Sequence, residues 1–172
     1  ALLVMMSAIG CVRSYAKSPV LEFSDIPYAW PVQKVELPKT GERHGLGKHN
    51  QVAYVEVNPG GARTVLLLHG YRCEKGEMLR HADFLHETGY SVFLFDFRNR
   101  GESEGDAVTL GYYEQLDVLG AIDYVKTRPD VDASRLGVLG VSMGGATAIM
   151  AAAQAPELKA VVSESAFRSA QS

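Results

Sequence analysis

Residues 136–145 read Leu-Gly-Val-Leu-Gly-Val-Ser-Met-Gly-Gly, and this stretch decides the fold. An apolar run typical of a buried β-strand leads into a G-x-S-x-G motif centred on Ser142, and strong helix formers follow at residues 146–155. A serine at a sharp strand-to-helix turn needs small residues two positions before and after it, because strand and helix approach closely there. Gly140 and Gly144 meet this requirement. The alternative interpretation is that the glycines only allow close packing and that Ser142 caps the helix.

The sequence around this motif alternates predicted strands with predicted helices. Short apolar runs occupy residues 64–68, 92–95, 136–139 and 160–162. They do not alternate with polar residues, and this pattern is typical of parallel strands that helices cover on both faces. Between the runs, apolar residues recur at helical spacing, at residues 78–85 and 118–125.

Two earlier runs have a different character. Residues 32–37 and 51–57 contain β-branched residues with partial alternation, and turns rich in glycine and proline follow each of them. They predict an antiparallel pair that opens the sheet. The predicted fold class is therefore α/β, with an open, mostly parallel sheet and helices on both faces.

Composition excludes several classes of protein. The 172 residues are 47% hydrophobic and 22% charged with a net charge of −3, so the sequence predicts a sizeable core and no basic surface for nucleic acid. Cys11 and Cys73 are too few for a disulfide framework and form no C-x-x-C motif, so no metal is predicted. Residues 69–76 lack the glycine pattern of dinucleotide-binding proteins, and no cofactor is expected.

Polar residues follow the predicted parallel strands at the points where these strands end. Residues 69–71 (His-Gly-Tyr) come directly after the run that ends at Leu68, and residues 96–98 (Asp-Phe-Arg) come after the run that ends at Phe95. The carboxyl ends of parallel strands meet at one edge of the sheet, where ligands bind in open α/β sheets. We therefore expect these residues to lie near Ser142.

Three motifs in this order resemble those of the α/β-hydrolase superfamily: His-Gly at 69–70, D-x-R-x-x-G-x-S at 96–103 and G-x-S-x-G at 140–144. The resemblance covers residues 32–167, and phrases such as Gly-Tyr-Ser-Val at 89–92 are similar to membrane-attached bacterial serine hydrolases of that superfamily. It implies an incomplete α/β-hydrolase fold with about six of eight strands. The implied activity is cleavage of an ester, thioester or amide bond through an acyl-enzyme, without a cofactor.

The resemblance implies a role for each matching residue. Ser142 would be the nucleophile, and the backbone N–H groups of Met143 and Tyr71 would form the oxyanion hole. His69 would organise its loop rather than act as the catalytic base. The other matching residues would form the wall of the site, and they are Gly70, Asp96, Arg98, Gly140 and Gly144. A plain surface ion pair is the alternative for Asp96 and Arg98.

The histidine base of the superfamily is missing from its usual place. The order in that superfamily is Ser, then Asp or Glu, then His, but no histidine follows Ser142. Apart from His69, the histidines also lie upstream and are expected to be structural: His44, His49, His81 and His86. Glu164 occupies a position that a minority of related lipases use for the acid. The alternative is a carboxylate that hydrogen-bonds its own turn.

Two explanations of the missing histidine are open. The chain is either the N-terminal part of a longer serine hydrolase, truncated before the catalytic acid and histidine, or a non-catalytic binding module on an α/β-hydrolase scaffold. The first is favoured because residues 160–162 would otherwise form an unpaired apolar edge, which natural sheets avoid. The parent is expected to act on a small-molecule acyl substrate, and the 172-residue chain alone is expected to be inactive. A transferase or haloperoxidase on the same scaffold and the oligomeric state are also left open.

The N-terminal segment indicates targeting. Residues 1–12 are almost entirely apolar, in a run shorter than the roughly 20 residues that span a bilayer. We expect residues 1–17 to be a secretory signal, a membrane anchor or a lipoprotein segment in which Cys11 is lipidated. Residues 18–30 predict a linker, and residues 31–172 predict the N-terminal part of the catalytic domain. The expected location is the cell envelope, with membrane attachment through the N-terminus, or alternatively a secreted or periplasmic protein.

Overall fold

The structure is a computed structural model that describes residues 2–6, 31–36 and 51–169. In these ranges the chain forms seven β-strands and three α-helices. The strands are β1 (Leu2–Met6), β2 (Gln33–Glu36), β3 (Gln51–Val57), β4 (Thr64–Leu68), β5 (Ser91–Phe95), β6 (Leu136–Val141) and β7 (Leu158–Glu164). The helices are α1 (Leu79–Glu87), α2 (Glu114–Lys126) and α3 (Met143–Ala152), and short 3-10 turns occupy Lys75–Met78 and Ala133–Arg135.

All of these strands belong to one sheet, in the order β1-β7-β6-β4-β5-β3-β2. The pairs β2–β3 and β3–β5 are antiparallel, and the other four pairs are parallel. The predicted α/β class and the antiparallel opening pair are therefore confirmed. Because β4, β5, β6 and β7 run in the same direction, the residues that follow them meet along one edge of the sheet.

Alternate residues of the strands contribute to two hydrophobic cores on opposite faces of the sheet. Leu66 and Leu68 pack in the larger core, together with residues of α2 and α3. Leu67 packs in the smaller core, together with Met78 and Ala82 from the α1 side. The central strands have a hydrophobic core on both faces, and for this reason they read as unbroken apolar runs in the sequence.

The N-terminal apolar run adds a strand to this sheet. β1 pairs parallel with β7, from Leu2 opposite Ala160 to Met6 opposite Glu164. The apolar edge at residues 160–162 is therefore paired, because a short apolar run supplies the backbone partners that such an edge needs. The sheet has seven strands rather than six as a result. An unpaired edge is thus no longer a reason to favour a longer chain.

The predicted targeting role of residues 1–17 is not tested by this pairing and stays a prediction. Cys11 and the predicted linker at residues 18–30 lie outside the described residues. Among the residues that the structure describes, no helix has the length and apolarity to cross a bilayer.

Candidate active site

The segment at residues 140–145, which we call the elbow, forms a strained turn between β6 and α3. Ser142 has φ 54° and ψ −113°, a backbone region that residues with a side chain rarely occupy. Its N–H donates to the Glu164 carbonyl (2.8 Å), and the Ala146 N–H donates to the Ser142 carbonyl (3.1 Å), so β7 and α3 both hold the turn. The Ser142 side chain makes no capping hydrogen bond to α3. The half-buried hydroxyl is therefore not used to cap the helix.

Gly140 and Gly144 of the elbow have to be glycine because other backbone groups lie very close to them. A Cβ at Gly140 would overlap the carbonyl group of Gly144, and a Cβ at Gly144 would overlap the carbonyl group of Leu68. Backbone groups cannot move aside as a flexible side chain can, so these positions accept only glycine without rearrangement. This contact also brings the start of α3 against the end of β4.

Gly70 places the His-Gly-Tyr loop beside the nucleophile candidate. A Cβ at Gly70 would lie 3.6 Å from the Cβ of Ser142. Within the described part of the chain, no hydrogen bond uses the backbone N–H of Tyr71 or of Met143. Met143 is also the first residue of α3, where the helix dipole favours negative charge. The fold of the described residues uses neither N–H group, and their predicted role as an oxyanion hole stays a prediction.

His69 is fully buried, and both of its ring nitrogens contact backbone groups. The Phe97 N–H donates to Nε2 (3.0 Å), so the ring proton resides on Nδ1, which donates to the Gly70 carbonyl (2.8 Å). Burial lowers the pKa of the imidazole. Because neither nitrogen is left for proton transfer, His69 holds its loop against the segment after β5 and cannot serve as the base for Ser142.

Asp96 joins the two loops that we call the wall, residues 69–78 and 96–105. Its carboxylate pairs with the Lys75 ammonium (2.7 Å) and also accepts the backbone N–H groups of Lys75 (2.7 Å) and Glu102 (3.0 Å). Asp96 is 0% exposed and Lys75 only 1%, so this is a buried ion pair rather than a surface one. The Lys75 ammonium also lies 3.3 Å from Glu102 Oε1.

Arg98 pairs with α2 rather than with Asp96. Its guanidinium donates to both oxygens of Asp117, at distances from 2.6 to 3.0 Å, and its backbone N–H donates to the same carboxylate. Burial raises the pKa of the Asp117 carboxyl, although the Arg98 guanidinium acts in the opposite direction. The alternative of a plain surface ion pair is therefore wrong for Asp96 and Arg98, because both residues pair with mostly buried partners.

Asp96 and Arg98 pair with Lys75 and Asp117, and neither pairing was predicted from the sequence. Glu114 is fully buried and accepts hydrogen bonds from the backbone N–H groups of Thr109 and Gly111, both at 2.7 Å. Glu114 and Asp117 belong to the Tyr-Glu-x-x-Asp sequence at residues 113–117, which is similar to the membrane-attached bacterial hydrolases, but that sequence names no partner for either carboxylate. Nothing in the local sequence indicates that Lys75 is buried, because its partner is distant in sequence.

Glu164 lies beside the elbow and contacts a histidine. Its Oε2 is 3.2 Å from Nε2 of His81 in α1, and both side chains are about one-third exposed, at 29% and 31%. The buried Nδ1 of His81 has no hydrogen-bond partner among the described residues, and no hydrogen bond there joins His81 to Ser142. His81 thus bridges α1 to β7, and Glu164 contacts another element rather than its own turn.

In the described ranges, no group of three or more histidine, cysteine or acidic residues is arranged to hold a metal ion. The polar groups that meet at the carboxyl edge are therefore a serine, two backbone donors and charged pairs that fix loops.

Comparison with known proteins places these observations in a family. The model of the X-Pro dipeptidyl-peptidase (S15) family matches residues 19–172. The Escherichia coli O157:H7 protein YfhR is 33% identical over 152 residues, which cover 83% of this chain and 50% of that protein. YfhR of Salmonella typhimurium is 41% identical over 85 residues, which cover 48% of this chain and 27% of that protein. The chain thus spans half or less of the length of these curated relatives.

Solved structures agree with the architecture. An esterase of Pyrococcus furiosus, Pf2001, superposes with a TM-score of 0.69 at 28% identity and covers 80% of this chain, which in turn covers 53% of the esterase. The superposition and the family match together establish an α/β-hydrolase fold and support a hydrolase.

Proposed function

Because the chain belongs to the X-Pro dipeptidyl-peptidase (S15) family within the α/β-hydrolase superfamily, we propose that it carries the nucleophile and the oxyanion hole of a serine hydrolase. The observation that carries this proposal is the strained backbone of Ser142, at φ 54°, with a hydroxyl that makes no capping bond. Strain of this kind persists only where the surrounding structure enforces it, and it is typical of residues that act in chemistry. Here two glycines, β7 and α3 enforce it.

The proposed reaction is transfer of an acyl group to water. The Ser142 oxygen attacks the carbonyl carbon of an ester, thioester or amide while a general base takes the hydroxyl proton. The N–H groups of Tyr71 and Met143 hold the oxyanion until the bond to the leaving group breaks, and the base returns the proton to that group. Water then attacks the acyl-enzyme in the same manner and regenerates Ser142.

The base must come from elsewhere in the protein. His69 has both nitrogens bound to backbone, and His81 has no hydrogen bond to Ser142 in the described structure. The curated relatives extend well beyond the matched region, since the chain covers half or less of them. His44 and His49 lie outside the described residues. We propose that a histidine beyond the matched region supplies the base, and we expect no turnover from the 172 residues alone.

Labelling with a fluorophosphonate tests the nucleophile. In the full-length protein we expect one label, which Ser142→Ala removes and Ser134→Ala leaves in place, since Ser134 is exposed on the turn before β6. A label that persists in Ser142→Ala would refute the assignment.

A binding module on the same scaffold is the second candidate, favoured by the absence of a histidine bonded to Ser142 in the described residues. That function predicts a full-length protein that is not labelled and that binds an acyl compound equally well with Ser142→Ala.

Attachment to the cell envelope through residues 1–17 is a separate proposal, supported by the apolar run at residues 1–12 and by Arg13 and Lys17, which follow that run. Expression with the native leader and labelled fatty acid tests the lipoprotein form of it. Loss of the label in Cys11→Ala, with retention in Cys73→Ala, is the expected result. Equal labelling of both variants would exclude lipidation at Cys11.

A further inference from the structure

Two arginines flank the side chain of a proposed oxyanion-hole residue. The Tyr71 ring is 43% exposed, and the guanidinium carbons of Arg100 and Arg72 lie 5.3 Å and 5.5 Å from its centroid. We call these three side chains the Tyr71 cluster. Tyr71 directly follows Gly70, and Gly70 lies next to Ser142. The backbone of Tyr71 therefore places the cluster near Ser142.

Neither guanidinium of the cluster is neutralised in the described part of the chain. No ion pair there involves Arg72 or Arg100, whereas Arg98 binds Asp117 and Arg128 binds Glu56 and Asp130. The Nε of Arg100 is buried and has no hydrogen-bond partner. A buried donor without a partner lowers stability, and this atom is available to an acceptor on a bound group.

The backbone holds both arginines in place. Arg72 has φ 63°, a strained conformation within the turn that the Cys73 N–H closes onto the Gly70 carbonyl (3.3 Å). Arg100 lies in a turn closed by its own N–H and the Phe97 carbonyl (3.1 Å). The Asp96–Lys75 pair fixes the loops that carry both turns. The cluster is therefore built on rigid loops, as a binding site requires.

Two acidic side chains on the loops that carry the cluster already have other partners. The Glu77 carboxylate accepts the Gly70 N–H (2.9 Å), and Glu102 contacts the Lys75 ammonium. A guanidinium binds carboxylates and phosphates through paired N–H groups, and two of them on one aromatic side chain favour an anion over a neutral ligand.

We propose that Arg72 and Arg100 recognise a carboxylate or phosphate group on the acyl part of the substrate. This inference rests on the proposed function and names its substrate class, an ester or thioester of a short acid that carries a second anionic group. The Tyr71 N–H would hold the reacting carbonyl while the cluster on the same residue binds the anion.

Three para-nitrophenyl esters of similar chain length test the proposal in the full-length protein. They are the neutral butyrate, the hemisuccinate with a carboxylate, and the β-phosphonopropionate with a phosphonate in place of a phosphate. We expect Arg100→Gln and Arg72→Gln each to lower kcat/KM for an anionic ester by about tenfold, and to change it for butyrate by less than about twofold. The anionic ester with the larger loss identifies the preferred group.

Two controls separate the possible outcomes. Arg135→Gln, at an exposed arginine on the turn before β6, is expected to leave all three rates unchanged. Arg100→Lys keeps the charge but not the paired donors and is expected to recover part of the loss. Equal losses on all three esters, or no loss on the anionic ones, would overturn the proposal while Ser142-dependent butyrate hydrolysis persists. If no ester is hydrolysed and no fluorophosphonate label forms, the proposed function itself fails.

Discussion

The elbow and the wall lie side by side at the carboxyl edge of the sheet, yet different interactions hold them. The elbow is fixed by backbone contacts, in which Gly140 and Gly144 allow carbonyl groups to approach and hydrogen bonds from β7 and α3 hold Ser142. The wall is fixed by buried charges, above all the Asp96–Lys75 pair between residues 21 apart in sequence. The strained backbone of Ser142 in the elbow thus depends on local geometry. The wall beside it depends on charge pairs between residues that are distant in sequence.

The largest expected effect comes from breaking the wall. Lys75→Met removes the ammonium and leaves the Asp96 carboxylate buried, so unfolding by denaturant should show a stability loss of about 3–5 kcal/mol. The double variant Lys75→Met with Asp96→Asn removes both charges and retains a side-chain oxygen for one of the two backbone donors. We expect it to recover at least half of the loss. Equal stability of the single variant and the wild type would mean that the wall does not depend on this charge.

The elbow can be broken by a single methyl group. Gly144→Ala places a Cβ against the Leu68 carbonyl, and the overlap should cost about 2–3 kcal/mol in the same unfolding measurement. Gly137→Ala in β6 is the matched control, since its Cβ would lie no closer than 3.6 Å to any other group. Similar losses for the two variants would show that close approach at the elbow is not what requires glycine.

A pH titration of stability distinguishes the buried imidazole of the wall from an exposed one. Burial lowers the pKa of His69 in the folded chain. When the pH falls below the ordinary histidine pKa, the unfolded chain therefore binds a proton at this residue and the folded chain does not. Stability from this group is complete above about pH 6.5 and decreases on acidification, by at most about 1.4 kcal/mol per pH unit.

His69→Gln should reduce that dependence, because glutamine can still accept the Phe97 N–H but does not titrate. His86→Gln, at an exposed histidine of α1, is the matched control for the loss of an imidazole. An unaltered slope in the first variant, measured between pH 7 and 5, would rule out His69 as its source.

The smallest expected effect concerns the contact between α1 and Glu164. His81→Asn removes the imidazole that lies 3.2 Å from Glu164 Oε2, and a loss of about 1 kcal/mol in stability is expected. Hydrolysis of the neutral ester by the full-length protein should change by less than about threefold, since no hydrogen bond in the described structure joins His81 to Ser142. A loss of several hundredfold would instead make His81 the base.

The comparison also explains what the sequence could predict. The strands and the position of Ser142 follow from local requirements, namely runs of apolar or β-branched residues and glycines at fixed offsets. β3 and β4 begin and end at the residues that these runs predict. The partners of Asp96 and Arg98 depend on which loops the fold brings together, and no local pattern encodes that. The pairing of β1 with β7 was missed for the same reason, because an apolar run of five residues is equally consistent with a strand and with part of an export signal.

The proposed mechanism requires that the acyl group of the intermediate is bound to Ser142. The full-length protein should be mixed with para-nitrophenyl butyrate, quenched in acid during the first turnover and digested for mass spectrometry. We predict one butyryl group on the peptide that contains Ser142, and none in Ser142→Ala. Ester hydrolysis with the butyryl group on another residue, or with Ser142 unmodified throughout, would contradict the account.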